Sequence, residues 1–183
     1  MIELDLAAVD AFAAAAHSGQ KRNTGDPTAP EIPYIVHPRA VCELLRTEHP
    51  DAAVKAPWIL ATALLHDVLE DCDVRHDEVT ARFGPDVCGA VRALSKELKM
   101  SPGAEKSDDQ YWAVLERQIL PVRQVKAADR IDNLRSCLIW RREKIARKYL
   151  LETPRRVLPM IVDDPFLYAT LCELLAQVRR LHA

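Results

Sequence analysis

Apolar side chains recur at helical spacing along most of this chain, and glycine or proline interrupts them at intervals. Residues 4–18 are rich in alanine and stop at Gly19, which predicts a helix with a C-terminal brake. Residues 20–38 hold Gly25, Pro27, Pro30, Pro33 and Pro38 and read as a long structured loop, a feature that often serves function in compact domains. A second helix is expected to start at His37-Pro38, where proline is tolerated in the first turn, and to run to about Glu48. Residues 57–70 are apolar almost all round, which predicts a helix in the middle of the core. Residues 77–83 and 85–96 read as two helices split by Gly84-Pro85, and residues 100–109 as a polar surface loop. Helices over 107–119 and 121–140, with two more between 153 and 181, complete an expected all-α bundle. Strand signals are nearly absent, since only 5% of residues are aromatic and no run of β-branched residues alternates. Without an internal repeat or a break in composition, residues 1–183 are expected to form a single domain.

The balance of 49% hydrophobic and 28% charged residues is that of an ordinary globular protein with a sizeable core. A formal net charge of −2 gives no global basic field, so neither long nucleic acid nor an anionic membrane is an expected partner. A phosphate-bearing ligand then needs a local cluster or a metal. No apolar run approaches the roughly 20 residues of a membrane span, and the acidic start (Met1 to Asp5) lacks the basic segment of a secretory signal. The five cysteines are scattered and never form a C-x-x-C pair, so buried thiols in a reducing compartment, the cytoplasm, are expected.

The densest ionisable stretch is His66-Asp67-Val68-Leu69-Glu70-Asp71, at the end of the most apolar helix. On one continuous helix, His66 and Glu70 stack a turn apart, and so do Asp67 and Asp71. Three carboxylates this close repel one another and are costly on a core helix without a compensating cation, which a divalent metal supplies. The alternative is a polar helix end frayed into solvent. Asp129 and Asn133 share another helix face, where Ala127, Ala128 and Ile131 make the surroundings small and apolar. A carboxylate there takes either a metal or an arginine, with Arg130 and Arg135 at hand. His37, between Val36 and Pro38, reads by itself as a capping or core residue. Taken together, His37, His66, Asp67 and Asp129 make a set of two imidazoles and two carboxylates suited to manganese, iron, zinc or similar ions. Four protein ligands on an ion that accepts five or six leave room for water and a phosphate oxygen, as a catalytic site requires.

These residues resemble the HD superfamily pattern of a histidine, then His-Asp, then a distant aspartate. Five blocks narrow the resemblance: residues 16–22 (Ala-His-Ser-Gly-Gln-Lys-Arg), 33–38 (Pro-Tyr-Ile-Val-His-Pro), 63–71 (Ala-Leu-Leu-His-Asp-Val-Leu-Glu-Asp), 78–84 (Glu-Val-Thr-Ala-Arg-Phe-Gly) and 125–135 (Val-Lys-Ala-Ala-Asp-Arg-Ile-Asp-Asn-Leu-Arg). In order, and over about residues 8–138, they are similar to the hydrolase domain of the Rel/Spo alarmone enzymes. The chain has no room for a synthetase or regulatory domain, so it resembles a stand-alone small alarmone hydrolase. The resemblance implies an HD-type helical bundle with a metal site, manganese above all, in its core. It implies metal ligation by His37, His66, Asp67 and Asp129, and a Glu70–Asp71 pair that orients or deprotonates the attacking water. Asn133 would contact the sugar or phosphate of the substrate, and Arg22 would lie against guanine with Lys21 and Tyr34 nearby. The implied reaction is hydrolysis of guanosine 3′,5′-bis(diphosphate), or its 5′-triphosphate form, to GDP or GTP and pyrophosphate, as in the stringent response.

Two departures fall where the base and its phosphates would be read. Residues 26–33 make the loop several residues longer than the usual family connection, and position 23 is Asn rather than Ser or Lys. Another nucleotide, such as an adenosine alarmone, a deoxynucleotide or NADPH, therefore stays open as substrate, as does a module that binds an alarmone without cleaving it. Lys126 and Arg130 either offset phosphate charge or point to solvent. The basic run Arg141, Arg142, Lys144, Arg147 and Lys148 reads as a solvated helix face, and Trp58, Trp112 and Trp140 as core or interface residues.

Overall fold

Several helices begin where a side chain satisfies the amides of the first turn, or where proline removes one of them. The computed structural model describes residues 4–101, 103 and 105–182. Helix α1 (Leu6–Ala16) starts on Asp5, whose carboxylate accepts the Ala7 amide at 2.9 Å. It is followed by Gly19 at a φ of 79°, a left-handed turn residue. The chain then makes a hairpin-like excursion with one isolated antiparallel bridge, Lys21 to Pro33. Helix α2 (Val36–Glu43) carries Pro38 in its first turn and runs into a wide turn, Leu44–Glu48, where the His49 amide reaches back five residues to the Leu44 carbonyl.

Short helix α3 (Pro50–Lys55) leads into α4 (Trp58–Leu65) and α5 (Val68–Asp71). Next come α6 (His76–Phe83) and α7 (Pro85–Leu94), separated by Gly84 at a φ of 90° with Pro85 opening the second. Helix α8 (Asp108–Glu116) has a reciprocal Ser107–Gln110 capping box. The longest helix is α9 (Leu120–Trp140), followed by α10 (Glu143–Glu152) and α11 (Pro165–Leu181), the last capped by Asp164. The described residues contain helices and turns and no strand, so the expected all-α bundle is observed.

The core lies between α4 and α9. Every residue from Ile59 to Leu65 is buried, as the all-round apolar pattern required. Helix α9 packs on α2, α4 and α11, with Val125, Ala127, Ala128, Ile131 and Leu134 fully buried. Alanines at 61, 63, 127 and 128 let these backbones approach closely.

Three expectations change. The helix expected over residues 57–70 is two helices with a turn at His66-Asp67. Neighbouring residues on a regular helix point about 100° apart, so the turn is what brings these two side chains together. The first of the two helices expected between 153 and 181 is a wide turn (Thr153–Val157) and a tight one (Leu158–Ile161), where Pro154 and Pro159 remove amide donors. Four cysteines are buried as expected, but Cys172 is exposed on α11; all five are thiols. None of the described helices is long and apolar enough to cross a membrane.

Candidate metal centre

Helices α2, α4 and α9 pack against one another and point four side chains at one place. His37 comes from the first turn of α2, His66 and Asp67 from the turn after α4, and Asp129 from the middle of α9. His37, His66 and Asp129 are all buried, and one ligand atom from each lies within 4.8 Å of the others. The His37 Nε2 stands 3.2 Å from Asp129 Oδ1 and 3.8 Å from Asp67 Oδ2. The His66 Nε2 stands 3.2 Å from Asp67 Oδ2 and 4.0 Å from Asp129 Oδ1. Ligand atoms about 2.1 Å from a common ion lie about 3.0 Å apart at right angles and about 4.2 Å apart across it, so these spacings suit one ion.

Protonation sharpens the fit. His66 Nδ1 lies 2.8 Å from the Ala63 carbonyl, which can only accept, so Nδ1 carries the proton and Nε2 presents a lone pair. That buried Nε2 has no hydrogen-bond partner. His37 Nδ1 likewise donates to Asp132 Oδ2 at 2.6 Å, which turns its Nε2 lone pair towards Asp129. Lone pairs facing carboxylate oxygens repel unless a cation lies between them. Burial lowers the pKa of His37, but the Asp129 and Asp132 carboxylates outweigh it and raise the ring to about 9, so a proton takes the cation's place in the metal-free protein. Burial also opposes the charged form of Asp129, yet Lys126 and the two imidazoles hold it well below the usual carboxylate range.

The surrounding groups fix the two acids. Tyr34 donates its hydroxyl to Asp67 Oδ2 at 2.7 Å, and burial together with Asp67 pushes the phenol up so that it stays a donor. Lys126 Nζ donates to Asp129 Oδ2 at 2.9 Å, and Asn133 Nδ2 donates to Asp129 Oδ1 at 2.5 Å. Asp129 is therefore paired with Lys126, not with the arginines: Arg130 binds Glu152, and Arg135 binds Glu48.

A cavity of about 290 Å³ opens beside these groups. Glu70 and Asp71 line it, with Lys126 and Arg130. Glu70 accepts the Lys96 amide at 2.7 Å, and burial, with Asp67 adding to it, pushes its carboxyl up to about 7. Burial and Asp67 also raise Asp71. Lys126 and Arg130 thus face the site and not solvent, and Arg130 lies 4.0 Å over the Tyr149 ring.

Of the residues tied to substrate by resemblance, Arg22, Tyr34 and Asn133 line the cavity. Lys21 does not. Successive residues of an extended arm face opposite sides, so with Arg22 turned inward, Lys21 turns outward to pair with Glu31. Sequence reasoning missed Asp132, which braces His37; its signal was its place on the Asp129 face of α9, three residues on. It also missed His17 and Gln20. The His17 ring lies 4.8 Å from Tyr34, and Gln20 donates to the Asp71 carbonyl at 2.8 Å. In the basic run, Arg147 pairs with Glu143 on the surface of α10, as a solvated face would, whereas Lys148, beside Glu152, lines the cavity.

Comparisons with known proteins identify a family for the chain. The HD domain profile matches residues 10–153. A guanosine-3′,5′-bis(diphosphate) 3′-pyrophosphohydrolase of Drosophila melanogaster is 34% identical over 138 residues, covering 73% of this chain and 72% of that protein. A protein of the same name from Vibrio cholerae is 35% identical over 142 residues, or 74% of this chain, and one from Aquifex aeolicus 33% over 150 residues, or 81%. The matched region spans only 19% and 20% of those two longer proteins. A solved structure described as a metazoan orthologue of SpoT that hydrolyses ppGpp superposes with a TM-score of 0.77 at 27% identity, covering 99% of this chain and 98% of that one. Since the profile spans all four converging side chains and most of the bundle that carries them, this chain belongs to the HD domain family.

Proposed function

We propose that this chain is a metal-dependent phosphohydrolase that removes the 3′-pyrophosphate of guanosine 3′,5′-bis(diphosphate) and of its 5′-triphosphate form. One observation supports the reading: four atoms able to bind a cation, from His37, His66, Asp67 and Asp129, meet beside a cavity edged by a carboxyl group poised near neutrality. These four are the proposed ligands, and manganese the proposed ion, suited to a mixed nitrogen and oxygen set. A divalent ion held there supplies charge that acidifies water and offsets phosphate oxygens.

The chain's own groups do the rest. Glu70 is the general base, because a carboxyl near 7 is half ionised at neutral pH and can accept the proton of an attacking water. Asp71 supports the same water. Water adds to the 3′-linked phosphorus, the bond from phosphorus to the 3′ oxygen breaks, and that oxygen takes a proton. Lys126 and Arg130 lie along the cavity wall, where positive charge offsets the charge gathering on phosphate. Asn133 contacts the sugar or phosphate of the substrate, and Arg22 lies against the guanine with Tyr34 nearby. The chain acts as a single domain in the cytoplasm, with a small nucleotide as its partner.

One observation favours a different nucleotide as substrate: the hairpin is long, and its Lys21 is held outside the cavity by Glu31. The test is a manganese-loaded substrate panel of guanosine and adenosine alarmones, a deoxynucleotide and NADPH, scored by which phosphate leaves. Release of pyrophosphate from the guanosine alarmone in preference to the others is expected. No turnover of any of them, with bound alarmone recovered intact, would leave a binding module in place of an enzyme.

A further inference from the structure

Arg22 reaches the metal centre from outside it. Its side chain is only 10% exposed. Its Nη2 donates to Asp132 Oδ2 at 2.6 Å, to Asn133 Oδ1 at 3.2 Å and to Ser136 Oγ at 3.1 Å. Each of the first two acceptors bonds onward to a candidate ligand: Asp132 accepts from His37 Nδ1, and Asn133 donates to Asp129 Oδ1. One nitrogen therefore sits at the head of two short chains of hydrogen bonds that end on two different members of the ligand set. The position of Arg22 is itself fixed by the hairpin, where its amide donates to the Ile32 carbonyl at 2.7 Å beside the Lys21–Pro33 bridge.

We infer that Arg22 is a positioning residue of the metal centre, orienting His37 through Asp132 and Asp129 through Asn133. The inference rests on the metal-site reading above and adds to it. It gives the hairpin a task unrelated to reading a base, and it ties a change in the hairpin to metal affinity. Outer partners of metal ligands typically carry tenfold to a hundredfold in affinity, because they fix ring orientation and ligand basicity. The sign discriminates. A cation beside a divalent ion repels it, so a purely electrostatic effect of deleting Arg22 would tighten metal binding. Loss of positioning weakens it.

The test is titration of the metal-free full chain with manganese alone, without nucleotide, for the parent, Arg22→Gln, Asp132→Asn and the double variant. Arg22→Gln is expected to bind manganese about tenfold to a hundredfold more weakly, and the double variant to lose less than the product of the two single losses. Circular dichroism checks that each variant folds, and Arg22→Lys carries the same test if Arg22→Gln does not. Its single ammonium keeps the charge but cannot reproduce the planar fork of the guanidinium, so it too is expected to weaken binding. Unchanged or tighter binding by the folded Arg22 variant, or losses that multiply, overturns the inference. A parent that takes up no manganese overturns the metal-site reading along with it.

Discussion

Replacing Glu70 by glutamine separates the proposed base from the metal centre and moves two quantities in opposite directions. Glutamine keeps an acceptor oxygen for the Lys96 amide, so the local backbone contact survives. It cannot take a proton. Loss of a general base costs about 10²- to 10⁴-fold in rate, while metal content should stay at the parental level. Stability moves the other way in the metal-free protein. Burial lifts the Glu70 carboxyl from the ordinary 4.5 to about 7, so the folded state holds a proton that the unfolded chain gives up. The associated stability is present in full below about 4.5 and is lost as pH rises through about 7. At about 1.4 kcal/mol for each tenfold change, that loss is on the order of 3 kcal/mol at pH 8. Glu70→Gln removes it, so the metal-free variant should melt above the parent at pH 8 and close to it at pH 4. Single-turnover kinetics with manganese, and urea titrations at the two pH values without metal, measure both. Parental turnover would sink the base assignment, and equal stability at pH 8 would sink the claim that this carboxylate is held against its preference.

Three further outcomes are expected. Tyr34→Phe keeps the ring against His17 but removes the donor to Asp67 Oδ2, so manganese affinity should fall about tenfold to a hundredfold; an unchanged titration would show that Asp67 needs no such brace. Ile131→Ala opens a cavity at a fully buried position of α9 and should cost about 2–5 kcal/mol in urea unfolding; a cost under about 1 kcal/mol would contradict the packing described. Manganese at a hundred times its dissociation constant should stabilise the parent by about 2.7 kcal/mol but leave Asp67→Ala unmoved; equal stabilisation of both would place the ion elsewhere.

Much of the bundle was legible because proline and glycine punctuate it: Gly84-Pro85 and Pro121 mark helix ends that the structure keeps. The His-Asp pair and Asp129 were legible because charge on otherwise apolar helices is costly and needs a reason. The break at residues 66–67 was not, since the apolar pattern runs on through Val68 and Leu69 with no glycine or proline to mark a turn. Neither was the outward turn of Lys21, which depends on the parity of the hairpin bridge and not on residue type. Asp132, which braces His37, had only its place three residues beyond Asp129 to mark it, and Gln20, which holds the Asp71 carbonyl across 51 residues, had no spacing signature at all.

The central claim is that His37, His66, Asp67 and Asp129 share one cation, and metal analysis of the parent beside His66→Ala tests it most directly. The parent should carry a single divalent ion per chain, and the variant, folded by circular dichroism, should carry almost none. Equal metal content in the two proteins would contradict the account.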